Sequence, residues 1–187
     1  MKEVHVIKRD GESEILNLDK IHVMVEHACN GLAGVSESQV EMNANLQFFD
    51  GIKTSDIQEI LIRSANDLIS LDAPNYQFVA ARLLLFSLRK AVYNGHPNGH
   101  PPLLEHVEKC ISLGVYDSSI RSKYDDEEWE KLSSFMDHDR DYLFTYAGVR
   151  QVVDKYLVQD RSTGEIYETP QYMYMMVAAT LFQDDDK

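Results

Sequence analysis

An Asp10-Gly11 pair set between alternating apolar residues decides how this chain can begin. Val4 and Val6 lead into it and Ile15 follows. Asp-Gly lets a backbone reverse with positive φ, so a short β-hairpin is expected. Lys8 and Arg9 stand where the first strand meets the turn, and Lys20 opens a helix that begins near Leu18. Cations converging from a hairpin and a helix start suit an anion, because orphan backbone N–H groups favour negative charge there too. A solvated turn with surface lysines is the plainer alternative, which spacing alone leaves open.

The next stretch reads as four helices. Ile21, Val25 and Cys29 recur one turn apart, widened by Val23 and Met24, up to a stop at Asn30-Gly31. Ser36, with Gln39 three residues on, reads as a capping box for a second helix carrying Val40, Leu46, Phe48 and Phe49, which Asp50-Gly51 breaks. Thr54 is expected to cap a third helix with Ile57, Leu61, Ile62, Ala65, Leu68 and Ile69. Pro74 suits the first turn of a fourth, whose Phe78, Ala81, Leu85 and Leu88 face inward.

Residues 94–102 are turn formers without an apolar period, a linker. His96 and His100 within it have no third ligand in view, so they read as loop residues and no metal site is expected. A helix from Leu103 to Leu113 stops at Gly114, and Asp125 caps a helix whose first turn is acidic. Tyr142 to Tyr156 reads as helical, and a second hairpin turns at Ser162-Thr163-Gly164. The last helix, from Pro170, is apolar nearly all round and is expected to be buried between other elements, of which this chain has few left to offer. Asp184, Asp185 and Asp186 read as a frayed tail.

Charge narrows the partners. The chain has 18 basic and 31 acidic residues and a formal net charge of −13, which repels a polyanion, so no nucleic-acid partner is expected. Residues 1–90 hold nine basic and 13 acidic groups, and residues 91–187 nine and 18, so a local cationic site is easier to place in the first half. Cys29 and Cys110 are far apart, which argues against a disulfide framework and fits a reducing cytoplasm. Both sit on helices as small core residues rather than nucleophiles. No apolar run is long enough to span a bilayer, so a soluble cytoplasmic protein without a membrane partner is expected. Asp137-His138-Asp139-Arg140-Asp141 holds acid, base and cation, yet such a run is usually an ion-paired face.

Residues 6–11, then Asn17-Leu18-Asp19-Lys20-Ile21, 50–57 and 76–82, resemble the ATP-cone, the nucleotide-binding regulatory domain at the front of many ribonucleotide reductase large subunits. Residues 137–141, 155–159 and 163–168 resemble the helical region that follows it in class I enzymes of the bacterial and phage type. The resemblance implies a mostly α (α+β) fold. An ATP-cone over 1–92, with a β-hairpin lid over a four-helix bundle, is joined by a linker at 93–102 to a helical segment with a second β-hairpin at 103–187. It further implies ATP and dATP as allosteric effectors, with a magnesium ion compatible with the triphosphate and no cofactor for catalysis. Lys8, Arg9 and Lys90 are implied as phosphate cations. Glu14, Asn17 and Thr54 are implied around base and sugar, Lys20 and Ile21 beneath the lid, and Val6 and Ile57 as an apolar wall. Thr54 as a helix cap, Glu14 as a strand-end carboxylate and Val6 and Ile57 as core are the structural alternatives.

The pattern departs from the family at two positions. Bacterial relatives often carry histidine where this chain has Gln58 and Ser87, which can only hydrogen-bond, so discrimination of dATP from ATP is put in doubt. Family catalysis needs a radical cysteine, a redox cysteine pair and a barrel, and this stretch supplies none, so no catalytic residue is assigned. The implied partners are the remainder of the large subunit, which carries the catalytic barrel, and a radical-carrying small subunit. The implied role is allosteric. A ligand-free helical interaction module is the alternative of another class. A nucleotide-sensing repressor would need clustered cysteines and a basic face that the chain lacks.

Overall fold

The computed structural model describes residues 4–8, 11–97 and 99–184. The chain divides into two units, residues 1–87 with 142–149, and residues 88–141 with 150–187.

In the first unit, His5–Ile7 (β1) and Ser13–Ile15 (β2) form the hairpin, with Val6 opposite Glu14. A third strand, Ile52–Lys53 (β3), pairs parallel to β1 and makes the order β2-β1-β3. Two residues are too few to show alternation, so the sequence gives no sign of it. The Asp50-Gly51 pair is its approach. Asp50 Oδ1 accepts the His5 N–H at 2.8 Å, and Gly51 donates its own N–H to the His5 carbonyl at 2.8 Å. Gly51 has a φ of 83°, which a side chain would strain.

Four helices carry this sheet: Leu18–Cys29 (α1), Glu37–Asn45 (α2), Thr54–Asp67 (α3) and the first part of Tyr76–Tyr93 (α4). Val25, Ala28, Val40, Leu61, Ala65 and Val79 are fully buried between them. Burying a Val or Leu stabilises by about 1.5–3 kcal/mol, so this core outweighs any single surface pair. Arg82 closes the end of α1, its Nη1 donating to the Ala28 and Asn30 carbonyls at 3.1 and 2.7 Å.

Several local expectations are corrected. Ser36 occupies the N-cap of α2 but makes no side-chain cap bond. Tyr76 takes the part of Gln39 in the box: its hydroxyl accepts the Ser36 N–H at 2.9 Å and donates to Gln39 Oε1 at 2.7 Å. Helix α2 ends at Asn45, because the chain must extend to reach β3. Leu46 and Phe49 are therefore exposed rather than on a buried stripe. Lys53, not Thr54, is the N-cap of α3, since β3 runs straight into the helix. Pro74 lies in a turn ahead of α4, and Val23 faces outward.

In the second unit the helices are Leu103–Ser112 (α5), Asp126–Ser134 (α6), the end of Tyr146–Lys155 (α7) and Pro170–Leu181 (α8). The α6 capping box is complete: Asp125 Oδ1 accepts the Glu128 N–H at 2.8 Å, and Glu128 Oε2 the Asp125 N–H at 2.9 Å. Gln159–Asp160 (β4) and Glu165–Ile166 (β5) form the second hairpin. The helix expected from Tyr142 begins at Tyr146. Thr145 Oγ1 accepts the Gly148 N–H at 3.3 Å and sets that start, while His138–Leu143 forms a 3-10 turn before it. Helix α8 is buried on one side only, through Tyr172, Met176 and Ala179, in keeping with how little of this chain is left to bury an all-round apolar helix.

An aromatic cluster holds this unit together. The Tyr172 ring stacks on His106 at 3.8 Å with 5° between planes, and its hydroxyl donates to the Pro101 carbonyl. Burial pushes His106 down to about 3, helped by Lys109 and His138, and His138 down to about 4. The folded state thus keeps both rings neutral, while an unfolded histidine protonates near 6.5. Their contribution to stability is complete above pH 6.5 and is lost as pH falls toward 4 and then 3. The raised carboxyls Glu168 and Asp141 act in the opposite direction, so the histidine effect is read by difference. We expect wild type to lose stability relative to His106→Phe by about 1.4 kcal/mol per pH unit below 6.5. Urea midpoints at pH 7 and 5 measure it, and a constant gap between the two proteins would refute it.

Candidate effector site

The first-unit residues singled out by sequence gather where β1, β2 and the starts of α1 and α3 meet. Lys8 follows β1 directly, and its Nζ lies 3.0 Å from Glu14 Oε2 on β2 and 3.5 Å from Glu12 Oε2. The other oxygen of Glu14 is 3.8 Å from Lys20 Nζ, so one carboxylate bridges the two cations. Hydrogen bonding and charge from Glu14, then from Glu12, raise the Lys8 pKa, so the ammonium is held charged. The network is exposed and labile, and an incoming anion can replace carboxylate oxygens at the same nitrogens.

Parallel pairing adds a second source of positive potential. Ile7 lies opposite Lys53, and α3 starts at the next residue, so the helix N-terminus adjoins the end of β1 from which Lys8 emerges. First-turn N–H groups have no intrahelical partner and attract anions. Thr54, half-buried, is the first residue of that helix. Lys53 was not foreseen as a candidate; only the register of a two-residue strand brings it here.

The remaining positions divide clearly. Asn17 caps α1, its Oδ1 accepting the Lys20 N–H at 3.2 Å. Val6, Ile21 and Ile57 are 2%, 7% and 6% exposed, forming an apolar floor. Gln58 Nε2 donates to the Leu83 carbonyl of α4 at 2.8 Å, and half-buried Ser87 is one turn further along that helix. Lys90 lies in the last turn of α4, in the second unit, exposed and without an ion-pair partner among the described residues. There it lines a cleft of about 700 Å³ with His96, His100 and His138. Arg9 lies outside the described residues.

Burial pushes both cysteine thiols up to about 11, so neither is held as a thiolate near neutral pH. Cys110 Sγ is 3.6 Å from His106 Nε2, but that imidazole is depressed as well, so the pair stays neutral. Among the described residues no group of three or more His, Cys, Asp or Glu is placed to hold a metal ion. Nor is any helix among them long and apolar enough to cross a membrane.

The chain has relatives among known proteins. Residues 4–91 match the ATP cone domain, and residues 142–187 match the ribonucleotide reductase all-alpha domain. The chain is 52% identical over 179 residues to ribonucleoside-diphosphate reductase 1 subunit alpha of Escherichia coli strain K12, covering 96% of this chain and 23% of that one. It is 50% identical over 181 residues to the subunit alpha of Haemophilus influenzae, covering 97% and 24%. Against the subunit alpha of Enterobacteria phage T4 the identity is 40% over 187 residues, covering 99% and 24%. The chain spans about a quarter of the length of these relatives.

Proposed function

Because the chain belongs to the ribonucleotide reductase large-subunit family, matching its N-terminal part and carrying its ATP cone domain, we propose that it binds an adenine nucleotide that sets overall reductase activity. ATP permits reduction of ribonucleoside diphosphates and dATP opposes it, by shifting how the large subunit assembles with a radical-carrying small subunit. The cone spans 1–92, a linker 93–102, and the helical region 103–187. Turnover requires the catalytic barrel of the remaining large subunit, so this stretch is regulatory.

The observation that carries the reading is the Lys8–Glu14–Lys20 network beside the start of α3, in a protein of net charge −13. A triphosphate displaces Glu14 from Lys8 and Lys20 and gains the α3 first-turn N–H groups. The freed Glu14 carboxylate and Asn17 then accept from sugar hydroxyls or the base. Arg9 extends the phosphate contacts, Val6, Ile21 and Ile57 underlie the adenine, and Thr54 sits at the helix start.

Loss of one charge-assisted phosphate contact costs about one to two decades in affinity. Calorimetry of Lys8→Ala is therefore expected to show ATP binding weakened about 10- to 100-fold. An unchanged affinity would remove Lys8 from the site.

Gln58 is held by the Leu83 carbonyl, and Ser87 is short, so neither offers the ring of an imidazole to a nucleotide. The expected result is that ATP and dATP affinities of the wild type differ less than those of a Gln58→His, Ser87→His double variant. Equal ratios in the two proteins would place the discrimination elsewhere.

A further inference from the structure

The cleft that Lys90 borders lies wholly in the second unit and has no part in the hairpin network. Its volume of about 700 Å³ falls within the range of small-molecule sites, about 300–1,000 Å³. Its charges do not cancel. Asp139 is matched by Arg89 Nη1 and Asp137 by Arg140 Nε, both at 3.7 Å. Lys90 is exposed and has no ion-pair partner among the described residues, so one positive charge is left over in a protein of net charge −13. His96 adds a donor, since an imidazole carries at least one N–H in either charge state. Its Nε2 lies 3.4 Å from Glu105 Oε2, an exposed carboxylate that an anion can replace.

The rest of the lining is aromatic. The His100 ring lies 4.0 Å from that of His138 with 35° between planes, and Tyr93 stands edge-on to His138 at 5.8 Å. Tyr93 and His138 are buried and joined between the Tyr93 hydroxyl and His138 Nδ1 at 2.9 Å, and Arg89 donates to the His138 carbonyl. This wall is therefore in place before any ligand arrives. His100 is exposed on top of it, which gives a planar group a ring to stack on. Burial, then the positive charge of His100 and Arg89, push His138 down to about 4, and a field of that sign attracts an anion. We propose that this cleft binds a small phosphate monoester carrying a planar ring, the chemistry of a nucleoside monophosphate. Lys90 and His96 hold the phosphate, and the ring rests on His100 beside Met136. Asp137 and Asp139 share the lining, which resists the further negative charge of a di- or triphosphate. The site shares no residue with the Lys8–Glu14–Lys20 network and does not depend on it.

Titration calorimetry of AMP, ribose 5-phosphate and inorganic phosphate into the purified chain tests it, beside the His96→Gln, His100→Gln and Lys8→Ala variants. AMP is expected to bind the wild type about tenfold or more tighter than the two ringless phosphates. Its affinity is expected to fall about tenfold or more in each histidine variant and to stay unchanged in Lys8→Ala. The His100 side chain is exposed, so His100→Gln keeps the fold and carries the test even if His96→Gln does not. No AMP binding by the wild type would overturn the proposal. So would AMP binding that survives in both histidine variants, or that is lost with Lys8, which would make the hairpin its site. Inorganic phosphate as tight as AMP would overturn the part given to the ring. ATP, titrated into the same proteins, separates the two readings: its failure to bind with the AMP pattern intact refutes the hairpin site alone.

Discussion

Tyr172→Ala is expected to destabilise the second unit by about 3–5 kcal/mol, the range for removing a large buried aromatic ring. The ring has no exposure and stacks on His106, with Tyr93 and His138 edge-on at 6.1 and 5.1 Å. Truncation opens a cavity that the three neighbouring rings cannot close and leaves the buried Pro101 carbonyl only its 3.4 Å contact with His100 Nδ1. Tyr172→Phe keeps the stack and loses only the hydroxyl, so it should cost about 1–2 kcal/mol. Urea denaturation followed by Trp129 fluorescence, an indole with no exposure, reads both. Similar losses for the two variants would mean that the hydroxyl, not the ring, is what matters.

Arg89→Met should be nearly as damaging, at about 3 kcal/mol, because it leaves a buried carboxylate without its counter-charge. Asp141 has no exposed surface; Arg89 Nη2 is 3.6 Å from its Oδ2, and Gln171 donates to Oδ1 at 2.9 Å. Burial already holds the Asp141 pKa above its usual value, against the pull of Gln171 and Arg89. Removing Arg89 raises it further. The loss should therefore shrink as pH falls through that raised pKa and the carboxyl is neutralised in the folded state. The same substitution combined with Asp141→Leu should recover much of the stability, since apolar replacement of a buried pair is often close to neutral. A loss independent of pH and unrepaired by the second change would mean that Arg89 acts through packing, or through its bond to the His138 carbonyl.

The Asp137–Asp141 run thus proves ion-paired, as its composition indicates, but the decisive partner is Arg89, about 50 residues earlier, which no local pattern reveals. The same distinction separates what could be read in the sequence from what could not. Asp125 and Glu128 cap α6 because each partner is local, three residues apart. Ser36 and Gln39 have the same spacing and do not, because Tyr76 arrives from 40 residues away with a better-placed hydroxyl. The Asn30-Gly31 stop of α1 was legible, since glycine supplies the φ of 73° that follows. Strand β3 was not, because its two residues are specified by pairing with β1 rather than by their own period. Helix α8 was read as buried because its sequence is apolar on every side; only packing shows which side this chain covers. At the candidate site, the local Lys8 and Glu14 were legible through the hairpin. Lys53 was invisible without the register, and the bond that occupies Gln58 requires α3 and α4 to be packed together.

Titration calorimetry of ATP into the purified chain shows whether the hairpin cations hold a nucleotide triphosphate. Saturable exothermic binding by the wild type is expected, weakened about 10- to 100-fold in Lys8→Ala, with the two proteins equally stable without ligand. Absence of binding by the folded wild type, or identical isotherms for the two proteins, would contradict it.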